Sequence, residues 1–286
     1  MRITKAVIPA AGRGTRLAPL TTYLPKELLP VGPKPMIQYT VEMCMASGIG
    51  EFCFITSPAK SLLNDFLAGN WAPPRLPFKR PAQFYRDLSQ CRTVVLTQPE
   101  PRGVAHAVLL ARDFVGHDPF LCLMPDCLLF SAEPFAGQLM AGFAKYGKSI
   151  IGVLTIGADT AGCFGNVGVL ETTPLDDRCF SITALSDKTD EPLRVKRGTA
   201  IYKGFGGGIY LPADYFDLMQ SNASDAGGEV DDVPIHQRLA ASGNLLGVLL
   251  DGDAFDAGHP LGYRAAVHFA GRLEASSAGQ GDMGIS

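Results

Sequence analysis

The sequence predicts an α/β protein whose mostly parallel β-sheet is covered by helices on both faces. Apolar segments typical of buried strands alternate with segments of helical spacing along the first half of the chain. Polar or glycine-rich segments follow several of these strands directly. Because ligands bind such sheets at the carboxyl ends of the strands, the same alternation predicts where a functional site lies.

The first half of the chain contains the regular part of this pattern. Its predicted strands are residues 5–10, 52–56, 93–97 and 119–125. Its predicted helices are residues 35–48, 61–69 and 106–115, and a proline-rich connection spans residues 70–92. The strand at 119–125 is almost wholly apolar, which predicts a central place in the sheet.

The second half is less regular and consists mainly of predicted strands. They are residues 149–156, 165–173, 179–187, 200–211 and 245–252, with segments of helical spacing at 214–219 and 232–243. We expect residues 1–275 to form a single domain, since no linker interrupts them. Residues 276–286 are rich in glycine, serine and alanine without periodicity, which predicts a flexible tail.

The composition is that of an ordinary globular protein. Of the 286 residues, 47% are hydrophobic and 19% are charged, and the length is ample for a sizeable core. A net charge of −3 gives no overall basic field for nucleic acid. No apolar stretch approaches the roughly 20 residues that span a bilayer, and the amino terminus lacks a signal-peptide pattern. We therefore expect a soluble cytoplasmic protein that binds neither nucleic acid nor membranes.

The cysteines fit the same expectation. There are seven of them, none forms a Cys-x-x-Cys pair, and most lie in apolar segments. This distribution favours buried thiols over disulfides or a zinc site.

The segment after the first predicted strand has the composition of a phosphate-binding loop. Glycines in residues 10–16 permit close approach of a ligand, and successive N–H groups there can form an anion-binding concavity. Arg16 adds a planar guanidinium suited to phosphate oxygens, and Lys26 adds a mobile positive charge. Neither the Rossmann nor the P-loop pattern is complete. From these residues alone, a tight turn without a ligand remains the alternative.

Two acidic residues that follow apolar strands are candidates for metal binding. Asp126 ends the strand at 119–125, and Asp256 follows the strand at 245–252. Carboxylates that meet at one point suit Mg²⁺, which prefers oxygen ligands and is completed by substrate phosphates. A turn-forming aspartate is the alternative for Asp126. Asp251 and Asp253 compete with Asp256, and spacing alone does not decide among them.

A polar segment follows the strand at 93–97. Gln98 offers both a donor and an acceptor, as the edge of a pyrimidine base requires, and Gly103 precedes a predicted helix. Taken without other information, this segment is more typical of a polar loop before a helix than of a binding site. His106 lies nearby, but transfer between ionised phosphates requires little acid–base catalysis.

Three motifs together carry a resemblance to a known family. The sequences Gly-x-Gly-Thr-Arg-Leu at 12–17, Pro-Lys-Glu-Leu-Leu-Pro at 25–30 and Lys-Pro-Met-Ile at 34–37 resemble the signature of the sugar-1-phosphate nucleotidylyltransferases. The resemblance spans about residues 3–270. It implies a Rossmann-like nucleotidyltransferase core with a mixed, mostly parallel sheet, in which residues 1–130 bind the nucleotide and a smaller part, residues 131–275, binds the sugar.

The resemblance also implies the role of each candidate residue. Catalysis falls to Arg16, Lys26 and Lys188, and Mg²⁺ to Asp126 and Asp256. Nucleotide binding falls to Ala10, Ala11, Gly12, Gly14, Thr15, Gln98 and Gly103. Binding of the sugar phosphate falls to Gly165, Asp187, Lys188 and Glu229. The departures from the family pattern lie in the sugar-binding part, where Asp187 and Thr189 replace the glutamate and proline of Glu-Lys-Pro.

The implied reaction converts UTP and glucose 1-phosphate into UDP-glucose and pyrophosphate, in an enzyme that assembles as a homodimer or homotetramer. Three alternatives remain open. The same chemistry could use dTTP or another sugar 1-phosphate, or the chain could be a catalytically silent regulator that binds nucleotide-sugars. A glycosyltransferase with an Asp-x-Asp motif at Asp251–Asp253 is the third.

Overall fold

The computed structural model describes residues 2–70, 82–225 and 231–281. The strands are β1 (Lys5–Pro9), β2 (Pro30–Val31), β3 (Lys34–Pro35), β4 (Glu51–Thr56), β5 (Arg92–Thr97), β6 (Phe120–Leu123), β7 (Cys127–Phe130), β8 (Ser149–Gly157), β9 (Val169–Pro174), β10 (Cys179–Leu185), β11 (Ala200–Tyr210), β12 (Leu245–Leu249) and β13 (Asp253–Asp256). The helices are α1 (Met36–Ala46), α2 (Ser61–Leu67), α3 (Ala82–Leu88), α4 (Val104–Leu109), α5 (Arg112–Val115), α6 (Phe135–Tyr146), α7 (Pro212–Asp225), α8 (Val233–Ala241) and α9 (Pro260–Gly281). Short 3-10 turns lie at Thr15–Leu17, Leu20–Thr22, Lys26–Leu28 and Ala161–Cys163.

Nine strands form one mixed sheet in the order β5-β4-β1-β6-β11-β8-β12-β10-β9. The strands β5, β4, β1 and β6 are mutually parallel, as the alternation of the first half predicts. The strands β10 and β11 run against their neighbours, so the sheet is mixed but mostly parallel. The predicted α/β fold class is confirmed, and β6 lies inside the sheet between β1 and β11.

Apolar residues cover both faces of this sheet. In β1, Ala6 and Ile8 belong to one buried cluster and Val7 to another, because successive side chains of a strand point to opposite faces. Helices α1 and α6 contribute to the first cluster, and α4, α7 and α8 contribute to the second. Since β6 of the predicted nucleotide part pairs with β11 of the predicted sugar part, the two parts share one sheet.

Helix α9 is the main element that the sequence did not predict. Its buried positions include Ala266 and Ala270, which pack on a third cluster with Leu17 and Val31. Alanines leave only a weak apolar periodicity, so the helical pattern is hard to recognise. The Tyr263 hydroxyl donates to the carbonyl of Pro30 at 2.9 Å. Helix α9 therefore braces the segment that follows Lys26.

Other elements differ from the sequence predictions in detail. The helix predicted at 106–115 is divided into α4 and α5, and the connection predicted at 70–92 contains α3. Residues 276–281 continue α9, whereas the sequence predicted a flexible tail there. Extending an existing helix costs far less than starting one, which explains the extra helical residues. The rest of the predicted tail and residues 71–81 lie outside the described residues.

Within the described ranges, no helix combines the length and the apolar character that crossing a membrane requires. All seven cysteines are free thiols, and Cys44, Cys53, Cys122 and Cys179 are buried, as the sequence predicts.

Candidate active site

Most of the predicted site residues line one cavity of about 710 Å³. It lies beyond the carboxyl ends of β1, β5 and β6, where Pro9, Gln98 and Met124 form part of its wall. The predicted residues that line it are Ala11, Gly12, Thr15, Arg16, Lys26, Gln98, Gly103, Asp126, Gly165, Lys188 and Asp256. The structure thus brings together residues from both halves of the chain.

The glycine-rich loop begins where β1 ends. The N–H of Ala10 donates to the carbonyl of Ile55 at 2.7 Å and so extends the pairing of β1 with β4. Gly14 has a φ of +70°, and a Cβ there would lie 3.1 Å from Thr21 and 3.2 Å from Lys26. Glycine is therefore required at this position. Gly12, Thr15 and Arg16 are exposed, so a ligand in the cavity can reach the loop.

Ala10 and Gly14 do not line the cavity, although the sequence placed both among the nucleotide-binding residues. Ala10 is fully buried, and its carbonyl accepts a hydrogen bond from Lys60 Nζ at 2.6 Å. Gly14 accepts one from the Thr21 hydroxyl at 2.9 Å. Both residues therefore stabilise the conformation of the loop without lining the cavity.

A buried ion pair that the sequence did not reveal supports the loop. Lys60 Nζ lies 2.7 Å from Glu27 Oε2, and the Glu27 side chain is fully buried. Burial raises the pKa of Glu27 and lowers the pKa of Lys60, against the attraction between the two groups. Because Glu27 follows Lys26 directly, the pair anchors the Lys26 segment beneath the loop. The one sequence signal was a second charged residue, directly after Lys26 and before the apolar residues Leu28 and Leu29.

Lys26 and Asp126 form the central ion pair of the cavity. Lys26 Nζ donates to Asp126 Oδ2 at 2.6 Å. Burial lowers the pKa of Lys26, but the carboxylates of Asp126 and Glu27 outweigh burial and raise it. Burial raises the pKa of Asp126, but Lys26 and Arg16 outweigh burial and lower it. Both groups therefore stay charged at neutral pH.

The structure places Asp256 beside Asp126. Strand β7 follows Asp126, strand β13 ends at Asp256, and the two strands pair with Cys127 opposite Asp256. The N–H of Ala257 donates to the backbone carbonyl of Asp126 at 2.7 Å. A Cβ on Gly258 would collide with Asp126 Oδ2 and lie 3.2 Å from Asp256 Oδ1. The two carboxylates thus border one point that only a glycine leaves open.

This pair of carboxylates fits a magnesium site. Oxygen ligands suit Mg²⁺, which usually takes one or two carboxylates from the protein and the rest from phosphates and water. In the described part of the chain, no group of three or more His, Cys, Asp or Glu residues is placed to hold a metal ion. The competing acids Asp251 and Asp253 are exposed and do not line the cavity.

Arg16 reaches the same corner of the cavity. A Cβ on Gly165 would lie 3.0 Å from Arg16 Nη1 and 3.6 Å from Asp256 Oδ2. The N–H of Gly165 donates to Asp256 Oδ2 at 3.0 Å and fixes the orientation of that carboxylate. A substrate phosphate near Asp256 would therefore also be within reach of the Arg16 guanidinium.

Gln98 and Gly103 form another wall of the cavity. Gln98 Nε2 lies 3.1 Å from the carbonyl oxygen of Gly103 and 2.9 Å from His106 Nδ1. Burial, assisted by Arg102, lowers the pKa of His106, so the ring is neutral at pH 7. His106 does not line the cavity and acts by orienting the Gln98 amide.

The predicted sugar-binding residues are only partly brought together. Lys188 lines the cavity, whereas Asp187 is exposed, does not line it, and accepts a hydrogen bond from Gln237 Nε2 at 2.8 Å. Both residues follow β10, which ends at Leu185, and the hydrogen bond from Gln237 ties the Asp187 side chain to α8 outside the cavity. Glu229 lies outside the described residues.

A different acid accompanies Lys188. Asp231 lines the cavity, and its Oδ2 lies 3.3 Å from Lys188 Nζ. Burial raises the pKa of Asp231, but a hydrogen bond from Asp232 and the charge of Lys188 lower it overall. Burial together with Asp231 raises the pKa of Asp232. Asp231 is therefore the stronger acid of the two and Asp232 the weaker.

Comparison with known proteins gives a consistent result. Residues 5–195 match the family model described as nucleotidyl transferase. A UTP–glucose-1-phosphate uridylyltransferase of Staphylococcus saprophyticus is 30% identical, with 94% of this chain and 92% of that relative covered. One from Pseudomonas aeruginosa is 28% identical, with 93% of this chain and 95% of that relative covered.

Solved structures share the fold. A UDP-glucose pyrophosphorylase complexed with UDP-glucose superposes with a TM-score of 0.78 at 23% identity, over 95% of this chain and all of that one. A UTP-bound enzyme of the same kind from Acinetobacter baumannii superposes with a TM-score of 0.70 at 22% identity, over 94% of this chain and 93% of that one. The sequence match over both halves of the site shows that the chain is an enzyme that belongs to the nucleotidyl transferase family.

Proposed function

We propose that this enzyme transfers the uridylyl group of UTP to glucose 1-phosphate, which yields UDP-glucose and pyrophosphate. The names of its relatives support this choice of substrates. The observation that carries the proposal is the convergence of Arg16, Lys26 and Lys188 with Asp126 and Asp256 around one cavity. Such a set suits two anionic substrates whose phosphates must come into contact.

The reaction requires positioning and charge stabilisation more than proton transfer. A phosphate oxygen of glucose 1-phosphate attacks the α-phosphorus of UTP, and the bond from that phosphorus to the bridging oxygen of pyrophosphate breaks. The nucleophile and the leaving group are both ionised, so no proton needs to move. In such transfers, in-line alignment and preorganised positive charge supply most of the rate enhancement.

Each cation has a place in this scheme. Lys26 stabilises charge at the α-phosphate, because its remaining N–H donors are free to turn toward substrate while Asp126 keeps it ionised. Arg16 neutralises the leaving pyrophosphate, and Lys188 holds the phosphate of the sugar. When bound to Asp126 and Asp256, Mg²⁺ would supply Lewis-acid stabilisation of the phosphate oxygens.

Two uncharged residues, Gln98 and Gly103, complete the proposed binding site for the uracil base of UTP. Gln98 lies in the cavity wall beside Gly103, and its Nε2 already contacts the Gly103 carbonyl and His106 Nδ1, which leaves its Oε1 for a ligand. An acceptor of this kind can receive a hydrogen bond from the N3–H of uracil. Residues 1–130 would bind the nucleotide, and residues 131–275 would bind the sugar phosphate.

A substrate panel tests the proposal. The purified enzyme is supplied with Mg²⁺, each of ATP, CTP, GTP, UTP and dTTP, and several hexose 1-phosphates, and pyrophosphate release is measured. We expect the pair UTP and glucose 1-phosphate to give the highest kcat/KM, by about tenfold or more, since a site that pairs with a substrate group discriminates strongly.

The other outcomes identify the alternatives. A higher kcat/KM with dTTP would assign a thymidylyltransferase with the same chemistry, and no release from any pair would favour a silent nucleotide-sugar-binding regulator. A glycosyltransferase is disfavoured, because Asp251 and Asp253 lie on an exposed segment outside the cavity.

A further inference from the structure

A lysine that the sequence analysis did not single out lies within the cavity wall. Lys203 is in β11, where it lies opposite Leu154 of β8 and Val169 of β9. It is only 5% exposed, yet it is one of the residues that line the cavity. A lysine is rarely buried to this degree without a paired charge.

The hydrogen bonds of Lys203 leave its charge without a counter-ion. Its Nζ donates to the carbonyl of Val167 at 2.7 Å and approaches that of Gly204 at 3.3 Å. The other cavity lysines, Lys26 and Lys188, each form an ion pair with an aspartate. No carboxylate in residues 2–70, 82–225 or 231–281 forms an ion pair with Lys203.

The electrostatics of Lys203 point to an anionic ligand. Burial lowers the pKa of Lys203, while the more distant charge of Asp256 opposes that change. A buried ammonium whose partners are two neutral carbonyls is costly unless an anion completes its coordination. One of its three N–H donors has no acceptor in the described part of the chain and remains for a ligand in the cavity.

The location of Lys203 indicates which anion this is. Residues 165–168 form a turn that is held from three sides. The N–H of Gly165 donates to Asp256, the N–H of Thr189 donates to the carbonyl of Asn166 at 3.0 Å, and Lys203 donates to Val167. The turn thus joins the segment that carries Lys188 to the carboxylate of Asp256, and Lys203 is bonded to the same turn.

We propose that Lys203 binds the phosphate group of the sugar 1-phosphate, as a third lysine that acts with Lys188 and Lys26. This assignment rests on the proposed function, since the incoming phosphate must bridge the space from Lys188 to the reacting centre near Asp256. The competing possibility is that Lys203 only fastens the turn through Val167. In that case its charge would be immaterial as long as its hydrogen bond is kept.

Two substitutions of Lys203 distinguish binding of the sugar phosphate from anchoring of the turn at residues 165–168. Lys203→Met removes the charge and the donor, whereas Lys203→Gln removes the charge and keeps a donor for the Val167 carbonyl. Lys196→Met is the matched control, because Lys196 is an exposed lysine in the preceding segment. For each variant we would measure KM for the sugar 1-phosphate, KM for UTP, kcat, and the thermal unfolding midpoint.

We expect both Lys203 variants to raise KM for the sugar 1-phosphate by about tenfold or more and to leave KM for UTP within about threefold, as the loss of a charge-assisted hydrogen bond to one substrate should. Lys196→Met should match the wild type. If Lys203→Met fails to fold, Lys203→Gln decides. A normal KM for the sugar 1-phosphate in Lys203→Gln would overturn the assignment, as would an equal rise for both substrates. A wild-type enzyme that is inactive with every pair would instead contradict the proposed function.

Discussion

Lys26 Nζ and Asp126 Oδ2 lie 2.6 Å apart although the two residues are 100 positions apart in the chain. The contact joins the segment after the glycine-rich loop to the end of β6 at the centre of the sheet. Asp126 keeps the ammonium protonated, and the ammonium keeps the carboxylate ionised. The pair thus holds at one point the cation that we propose contacts phosphate and the carboxylate that we propose binds metal.

The pairing of Asp126 with Asp256 leads to an expectation about metal dependence. Removing divalent metal with EDTA should abolish pyrophosphate release, and Mg²⁺ should restore it. Asp256→Asn should raise the Mg²⁺ concentration for half-maximal activity by about tenfold or more, because a charged ligand is lost. Asp253→Asn in the same strand is the control, since Asp253 is exposed and outside the cavity. Activity that persists in EDTA would refute a metal-dependent site.

A substitution at Gly258 tests whether the space beside the carboxylates of Asp126 and Asp256 is needed for activity. Gly258→Ala places a methyl group against Asp126 Oδ2, so we expect kcat to fall by about 10²-fold through displacement of that carboxylate. Gly271→Ala in α9 is the matched control, because a Cβ there meets nothing within 4 Å. That control should keep full activity and stabilise the helix by up to about 1 kcal/mol in urea unfolding. Equal activity in the two variants would show that the space at Gly258 is irrelevant.

The Glu27–Lys60 pair is expected to matter for stability. Glu27→Gln leaves the Lys60 ammonium buried with only a carbonyl and an amide as partners, so the free energy of unfolding should fall by about 3 kcal/mol. The comparison is Glu51→Gln, whose partner Arg92 is largely exposed, and the change there should be under about 1 kcal/mol. Urea denaturation measures both. Losses of the same size would mean that burial adds nothing to the first pair.

His236 is expected to make stability depend on pH. Its ring is packed against Tyr210, with Nε2 2.9 Å from the tyrosine hydroxyl, and burial lowers the pKa of His236 from 6.5 to about 4. A group with a depressed folded-state pKa contributes stability above its unfolded pKa and loses that contribution as pH falls. The free energy of unfolding should therefore fall between pH 6.5 and pH 4, by at most about 3 kcal/mol from this group.

His236→Gln provides the comparison for that pH dependence, because glutamine keeps polar atoms without titrating. The variant should show a shallower loss of stability over the same interval, measured by urea unfolding at several pH values. Parallel curves for the wild type and the variant would exclude His236 as the source of the slope.

Local sequence patterns predicted the first half of the fold well because its strands are apolar runs bounded by glycine and proline. The same patterns predicted the loop at 10–16 and the acid at the end of β6. They could not choose Asp256 over Asp251 and Asp253, because that choice depends on the pairing of β13 with β7. Long-range pairings of this kind leave no periodic signal in the sequence.

The site residues that could not be predicted from the sequence have one physical feature in common. Lys60, Lys203 and Asp231 become noteworthy only through burial and through partners far away in the chain. The family resemblance pointed to Asp187 together with Lys188, yet Asp187 accepts a hydrogen bond from Gln237 and does not line the cavity. Helix α9 was not predicted because its buried face contains alanines, which give only a weak apolar periodicity.

The most direct test of the phosphate-handling cavity is the initial rate of pyrophosphate release from UTP and glucose 1-phosphate by Lys26→Met, beside the wild type and Lys34→Met. Lys34 is a half-exposed lysine paired with Glu42 outside the cavity. We expect Lys26→Met to be slower by about 10²-fold or more, from the loss of preorganised charge at the α-phosphate, and Lys34→Met to lie within about threefold of the wild type. Wild-type rates in Lys26→Met would contradict the central role of this cavity.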